Sequence, residues 1–304
     1  MNIWLGALEQ GFLFGAMVLG IYLTFRVLNY PDLTIDGSFT LGAAVAAKAI
    51  LMGYDPWWGL AMAFICGAMA GLVTGLLHTQ LKVTPLLSGI LTMIGLYSVN
   101  LRIMGQANVS LLRRETIFTG IKGFIPDPWG TLLLAVLLFA AVFLAVYLFL
   151  CTELGMALRA TGDNEQMIRS LGVNTDYTKL VGLALGNGLI AFSGSLVGQY
   201  QGFADIGMGI GMIVAGLASI IIGETLVGTQ TLIRAMASAI IGSLIYRSII
   251  SLVLQLGLSP TDLKLFTSLM VVTALALPLV RNRLGFSPLR GAGDVKVTPR
   301  NQNF

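Results

Sequence analysis

Run after run of about 20 apolar residues, with little between them, sets the limits on what this chain can become. A helix of that length crosses a bilayer, and in lipid only helices and closed barrels keep their backbone polar groups paired. The pattern predicts an all-α fold. It is a polytopic membrane helix bundle with about nine transmembrane helices, some of them broken or short. Spans are expected at 3–25, 35–53, 57–78, 84–104, 130–151, 180–200, 208–223, 230–250 and 263–281. Charged residues make up 11% of the 304, against 56% hydrophobic. A soluble domain carries about 25% charged residues, so lipid is the solvent here. Residues 1–304 read as a single integral membrane domain.

The first apolar run lacks a basic leader, its first Arg being Arg26, and reads as an uncleaved helix. The net charge of +4 reflects Lys and Arg in cytoplasmic loops and implies no nucleic acid. Cys66, Cys151 and the single His78 offer neither a disulfide framework nor metal-ligand spacing.

The breaks carry turn chemistry: Asn29-Tyr30-Pro31-Asp32, Tyr54-Asp55-Pro56, and Ser259-Pro260-Thr261-Asp262 before the last span. The tail, 282–304, holds Arg283, Arg290, Lys296 and Arg300 and is expected to be cytoplasmic. Counting back puts 152–179 inside, and 105–129 and the N-terminus outside. Arg113, Arg114 and Lys122 oppose that bias. Trp4, Trp57, Trp58 and Trp129 support it, since all four then lie at the outer interface. Gly67, Gly71 and Gly75 share a helix face, as do Gly11 with Gly15 and Gly194 with Gly198, and such faces suit close packing within a bundle ahead of a dimer seam.

The longest polar segment between spans runs from Glu153 to Asp176. It reads as a short amphipathic helix that Asp163 or Asn164 caps and Gly172 ends. Met167, Ile168 and Leu171 fall on one face. A helix of about two turns is marginal alone, so it docks on its own bundle or on a cytoplasmic partner. A plain polar loop fits the spacing as well.

This segment resembles the cytoplasmic loop of the branched-chain amino acid/ribose-type permeases of bacterial ABC importers. That loop has the pattern Gly-x-Ala-x-Arg-Ala-x-Gly-x-Asn, followed by a second Gly, an apolar residue and Asn. Here it falls on Gly155, Ala157, Arg159, Ala160, Gly162, Asn164, Gly172, Val173 and Asn174. Gly20 to Ser38 looks like the family's first helix pair, and Gly207 to Glu224 like the segment after the loop. Glu224-Thr225 and the long 105–129 loop depart from the pattern.

The resemblance implies that 152–179 holds a coupling helix seated in a cleft of an ABC ATPase, with Asp163 beside the matched positions. ATP and Mg belong to that partner, and no cofactor is implied on this chain. It also implies an ATPase dimer, an extracytoplasmic substrate-binding protein, a second permease that is either another copy in a homodimer or a close relative, and a location in the bacterial inner membrane. The subgroup it looks most like is associated with aromatic amino acid uptake.

Glu9, Gln10, Asp36, Asn100, Asn187, Gln199 and Glu224 fall at membrane depth, where polar groups face protein or a water-filled path. Asp36, Ser38, Asn100, Asn187 and Gln199 are candidates for the path. Asp36 also suits a cap on the second helix, and Glu224 an interfacial carboxylate at an inner helix end. Residues 11–50 and 181–222 share the order helix, polar break, small-residue helix, as an inverted repeat would.

No Gly-x-x-x-x-Gly-Lys-[Ser/Thr] loop occurs, so ATP would be hydrolysed on a separate chain. A serine hydrolase built on Ser193 would need His78, at the far end of another helix, and no enzyme is expected. The rival reading is an ion-coupled secondary transporter of a small polar solute, for which Asp36 and Glu224 would have to serve as the ion site. A scaffold without transport is a third reading.

Overall fold

The computed structural model describes residues 2–121, 129–257, 265–269 and 272–273. The elements are α1 (Asn2–Ile21), α2 (Ile35–Leu51), α3 (Pro56–Thr79), α4 (Pro85–Met104), β1 (Asn108–Ser110), α5 (Ile117–Ile121) and α6 (Trp129–Cys151). They continue with α7 (Glu153–Asp163), α8 (Glu165–Ser170), α9 (Thr175–Gln201), β2 (Phe203–Asp205), α10 (Met212–Val227) and α11 (Leu232–Gln255). Among the described residues, six helices are long and apolar enough to span a membrane: α1, α3, α4, α6, α9 and α11. The helices α2 and α10, at 17 and 16 residues, are shorter.

Helix α9 is the post around which α1, α2 and α3 pack. Small residues make this possible, because apolar side chains gain nothing by leaving lipid and close van der Waals contact must hold the helices together. A Cβ on Gly67 would run into Ala191, one on Gly71 into the Leu183 carbonyl, and one on Gly42 into the Ala191 carbonyl. The glycine face of α3 is therefore an internal seam. Gly194 and Gly198 face α2 in the same way, whereas Gly11 meets Leu244 of α11 and Gly15 meets Phe139 of α6. The outward faces of α3, α4 and α6 present large apolar side chains such as Ile65, Ile94 and Leu144.

Helix α1 runs antiparallel to α9. Tyr200 donates to Glu9 at 2.8 Å near one end, and Gly20 lies against the Gly186 carbonyl further along. The N-terminus thus shares an end with the antiparallel ribbon of β1 and β2, which pairs Asn108 with Asp205 and Ser110 with Phe203. Trp4, Trp57, Trp58 and Trp129, all exposed, start α1, α3 and α6 at this ribbon end. Helices α7 and α8 lie at the other end.

The structure departs from the sequence reading in several places. The helix expected at 180–200 starts at Thr175, because Asn174 Oδ1 accepts from the Asp176 and Tyr177 amides at 3.0 and 3.2 Å. The helix expected from 208 starts at Met212, after turns that end on Gly211 at φ +87°. The 105–129 loop contributes a strand and the short α5. The first span runs past its expected end as a π-helical turn, Tyr22–Val27. The last span, 263–281, lies mostly outside the described residues, as do the Ser259–Asp262 turn and the 282–304 tail.

Candidate functional site

Polar chemistry collects in two places: the middle of α9 and the α7 end. Asn187 lies near the midpoint of α9, a helix of about 40 Å by its rise per residue. Its Nδ2 donates to Asp32 Oδ2 at 2.6 Å and to the Leu183 carbonyl at 3.0 Å. Its Oδ1 accepts from Ser38 Oγ at 2.7 Å. Asp32 Oδ1 in turn accepts from the Thr34 amide at 2.8 Å, and the Thr34 hydroxyl meets that of Thr74 at 2.7 Å. The 28–34 break therefore folds back to the middle of the bundle. There the backbone groups freed by the break find partners in protein. Asp32, fully buried, is the member that sequence reasoning placed at the break without a role.

Asp36 caps a helix, but not its own. From the first turn of α2 its Oδ2 accepts from the Gly211 amide at 2.9 Å and its Oδ1 from the Ile213 amide at 3.0 Å. This is the N-terminus of α10, and its unpaired N–H groups favour an anion. Gly209 must be glycine for the approach, because a Cβ there would strike the Asp36 carbonyl. Two short helices, α2 and α10, thus begin at the depth of the α9 midpoint and touch at their starts.

The other path candidates are enclosed. Ser38 and Asn187 have no exposure, and Asn100 and Gln199 have 1% and 2%. Asn100 donates to the Gly37 carbonyl at 3.1 Å, while its buried Oδ1 has no partner among the described residues. Gln199 accepts from the Ile117 amide at 3.2 Å and anchors α5. Of the five, Asp36 alone is partly exposed, beside the open Gly211 and Ile210.

At the α7 end the single expected helix is two. Thr152 accepts from the Gly155 amide to start α7, and Asn164 accepts from the Met167 amide at 3.0 Å to start α8. Asn164, not Asp163, is the cap, and Gly172 follows α8 at φ +86°. The matched glycines are contact points. A Cβ on Gly155 would strike the Phe149 carbonyl, and one on Gly162 the Val27 carbonyl. Ala157 and Ala160 are half-buried, and Leu158 and Thr161 are buried. Thr161 and Thr178 share a hydrogen bond at 3.0 Å. Helix α7 is thereby clamped to α6, the π-helical turn and α9.

The outer surface of this end is different. Arg159, Asp163, Asn164, Gly172 and Asn174 are exposed, as are Met167 and Leu171 at 58% and 67%. Of the expected apolar face only Ile168 is buried. Glu165 ties α8 to α9 by accepting from Lys179 Nζ at 2.8 Å, Thr175 Oγ1 at 3.2 Å and Arg169 at 3.2 Å. Burial opposes the Glu165 charge, but the Lys179 and Thr175 hydrogen bonds and the nearby Arg169 outweigh it and hold the carboxyl below its ordinary range. Arg26 and Glu224 form an ion pair that joins the π-helical turn to the last turn of α10.

The sequence model of the family described as branched-chain amino acid transport system / permease component matches residues 3–276. The chain belongs to this family. A tyrosine transport system permease protein of Clostridioides difficile (strain R20291) is 44% identical over 275 residues, covering 90% of each chain. An uncharacterized protein of Rickettsia prowazekii (strain Madrid E) is 34% identical over 280 residues, covering 91% of this chain and 98% of its own. In fold, the permease is similar to a solved inward-facing ABC transporter of metal-chelate type. The TM-score is 0.51 at 16% identity, over 92% of this chain and 85% of that one.

The protein is the multi-pass membrane permease subunit of a bacterial ABC importer. It is a transport component without catalysis of its own. As an ABC permease it works with an ATPase and a binding protein. The ion-coupled reading loses its footing too: Asp36 is engaged by backbone amides and Glu224 by Arg26. No group of three or more metal-binding side chains occurs among the described residues.

Proposed function

We propose that this permease moves an amino acid inward, aromatic in the first instance, and that α7 and α8 are its handle for the ATPase. The solute follows from the tyrosine transport permease to which 44% of the aligned residues are identical. The handle rests on one observation: α8 and the residue that ends it expose Met167 and Leu171 among charged residues, on a segment clamped by Gly162 to the Val27 carbonyl. Exposed apolar side chains beside Asn164, Arg169 and Asn174 suit a protein cleft. The clamp makes α7 a lever, since a push on α8 reaches the π-helical turn and α1 without slack.

In this reading the whole chain is one permease domain of nine spans, with 263–281 as the last. The ribbon end is extracytoplasmic and receives the binding protein, and the α7 end is cytoplasmic. Asp36, with the exposed start of α10, borders the path. Ser38, Asn100, Asn187 and Gln199 hold the walls from behind. Two copies enclose the path as a homodimer, because Asp36 and Gly211 lie open at membrane depth while α3, α4 and α6 turn smooth apolar faces to lipid. Nucleic acid has no part in it.

The test is co-purification of the permease with its ATPase. Met167→Glu with Leu171→Glu should abolish association while the thermal midpoint of the purified permease stays unchanged. Full association of the double variant would overturn the assignment.

A further inference from the structure

A cavity of about 740 Å3 opens at the α7 end, between the π-helical turn, α7 and the turn joining α10 to α11. Tyr22, Arg26, Asn29, Arg159, Asp163 and Gln230 are in its lining. Its volume falls within the roughly 300–1,000 Å3 that small-molecule sites occupy. One of its charges is in use, since Arg26 pairs with Glu224, and the neutral Gln230 side chain accepts through Oε1 from Arg234 at 2.7 Å. Two are not. Arg159 and Asp163 stand four apart on α7, close enough to meet across one turn, yet neither has an ion-pair partner among the described residues.

A guanidinium and a carboxylate held one helical turn apart and unpaired match a molecule that carries both opposite charges on groups bonded to one carbon. Guanidinium groups take carboxylates through paired N–H donors, and Asp163 would accept from an ammonium. Tyr22 and Met156 offer an aromatic ring and an apolar flank in the same cavity. We infer that this cavity is a cytoplasmic-side binding site for a free α-amino acid, with Arg159 on its carboxylate and Asp163 on its ammonium group. An occupant there bridges α7 to the π-helical turn. The inference rests on the proposed amino acid solute and on the proposed cytoplasmic placement of α7.

The experiment is isothermal titration of the purified full-length permease in nanodiscs, without its ATPase, using L-tyrosine, L-leucine, tyramine and L-tyrosine methyl ester. At least one of the two amino acids should bind. Tyramine and the ester, which lack the free carboxylate, should bind at least tenfold more weakly than L-tyrosine if that is the binder. Arg159→Gln and Asp163→Asn should each weaken amino acid binding at least tenfold with an unchanged thermal midpoint. Absence of binding by both amino acids would overturn the site. So would equal binding of L-tyrosine and tyramine, or binding untouched by either substitution. Loss of anionic lipid from Arg159→Gln in native mass spectrometry, with no amino acid bound by the wild type, would assign the cavity to a headgroup and also overturn it. ATPase association is read separately, so a failed handle and a failed site give different results.

Discussion

Asn187 ties Asp32, Ser38 and the α9 backbone into one buried node, and its amide uses both donor and acceptor sides. Asn187→Leu leaves the Asp32 carboxylate and the Ser38 hydroxyl without it, and should lower stability by about 2 kcal/mol. Ser38→Ala removes one bond and should cost about 1 kcal/mol. Denaturation midpoints in detergent check the order of the two. Asp36→Ala uncaps α10, a loss of about 0.5–2 kcal/mol. Its signature is local: the Gly211 and Ile213 amides should exchange hydrogen faster while the last turns of α10 keep their protection. Unchanged exchange at both amides would remove Asp36 from this role. The sequence marked Asp36 as a cap for α2, and the chemistry was right while the helix was wrong. The carboxylate's acceptor capacity is local information, but the arrival of α10 beside it depends on a chain reversal some 175 residues away.

Among the elements, the seams between helices were the most legible part. Glycines spaced four apart on α3 marked a packing face, and each of them meets α9. Gly71→Leu should therefore prevent folding, seen as loss of the monodisperse peak in size-exclusion chromatography. Gly95 in α4 has nothing within 4 Å of an added Cβ. Gly95→Ala should keep the peak and raise stability by up to about 1 kcal/mol, the helix-propensity difference. The split of Glu153–Asp176 into two helices was less legible. Asn164 interrupts a stretch whose helical periodicity is otherwise continuous, and a side chain that ends one helix by starting the next looks like an ordinary cap. The β ribbon was not legible at all, since three-residue strands paired between Asn108 and Asp205 leave no periodicity to read. The α8 anchor titrates. Because the folded Glu165 carboxyl is held low, its contribution is present above the ordinary carboxylate range and fades as pH falls through that lowered value. Hydrogen exchange in Glu165–Ser170 should accelerate on acidification to that range, and Glu165→Gln should abolish the dependence.

For the whole molecule, lipid as the solvent was written in the scarcity of charge, and the family in a pattern of nine positions. Structure gives that pattern physical content: Gly155 and Gly162 set α7 against α6 and the π-helical turn, and Asn164 and Asn174 start α8 and α9. Which polar residues border water was not written there. Periodicity assigns a residue to a helix face, and only the assembled bundle decides whether that face meets another helix, lipid or a second copy. Ser38, Asn100, Asn187 and Gln199 all proved to face other helices. The central claim is that α8 is the surface on which a motor acts. Photo-crosslinking in the assembled importer tests it most directly, with the reactive group placed at Met167 or Leu171 and, as a control, at the exposed Ile65 in the middle of α3. The ATPase should be captured from both α8 positions and not from Ile65. Capture of lipid or of the extracytoplasmic binding protein from Met167 and Leu171, with no ATPase, would contradict it.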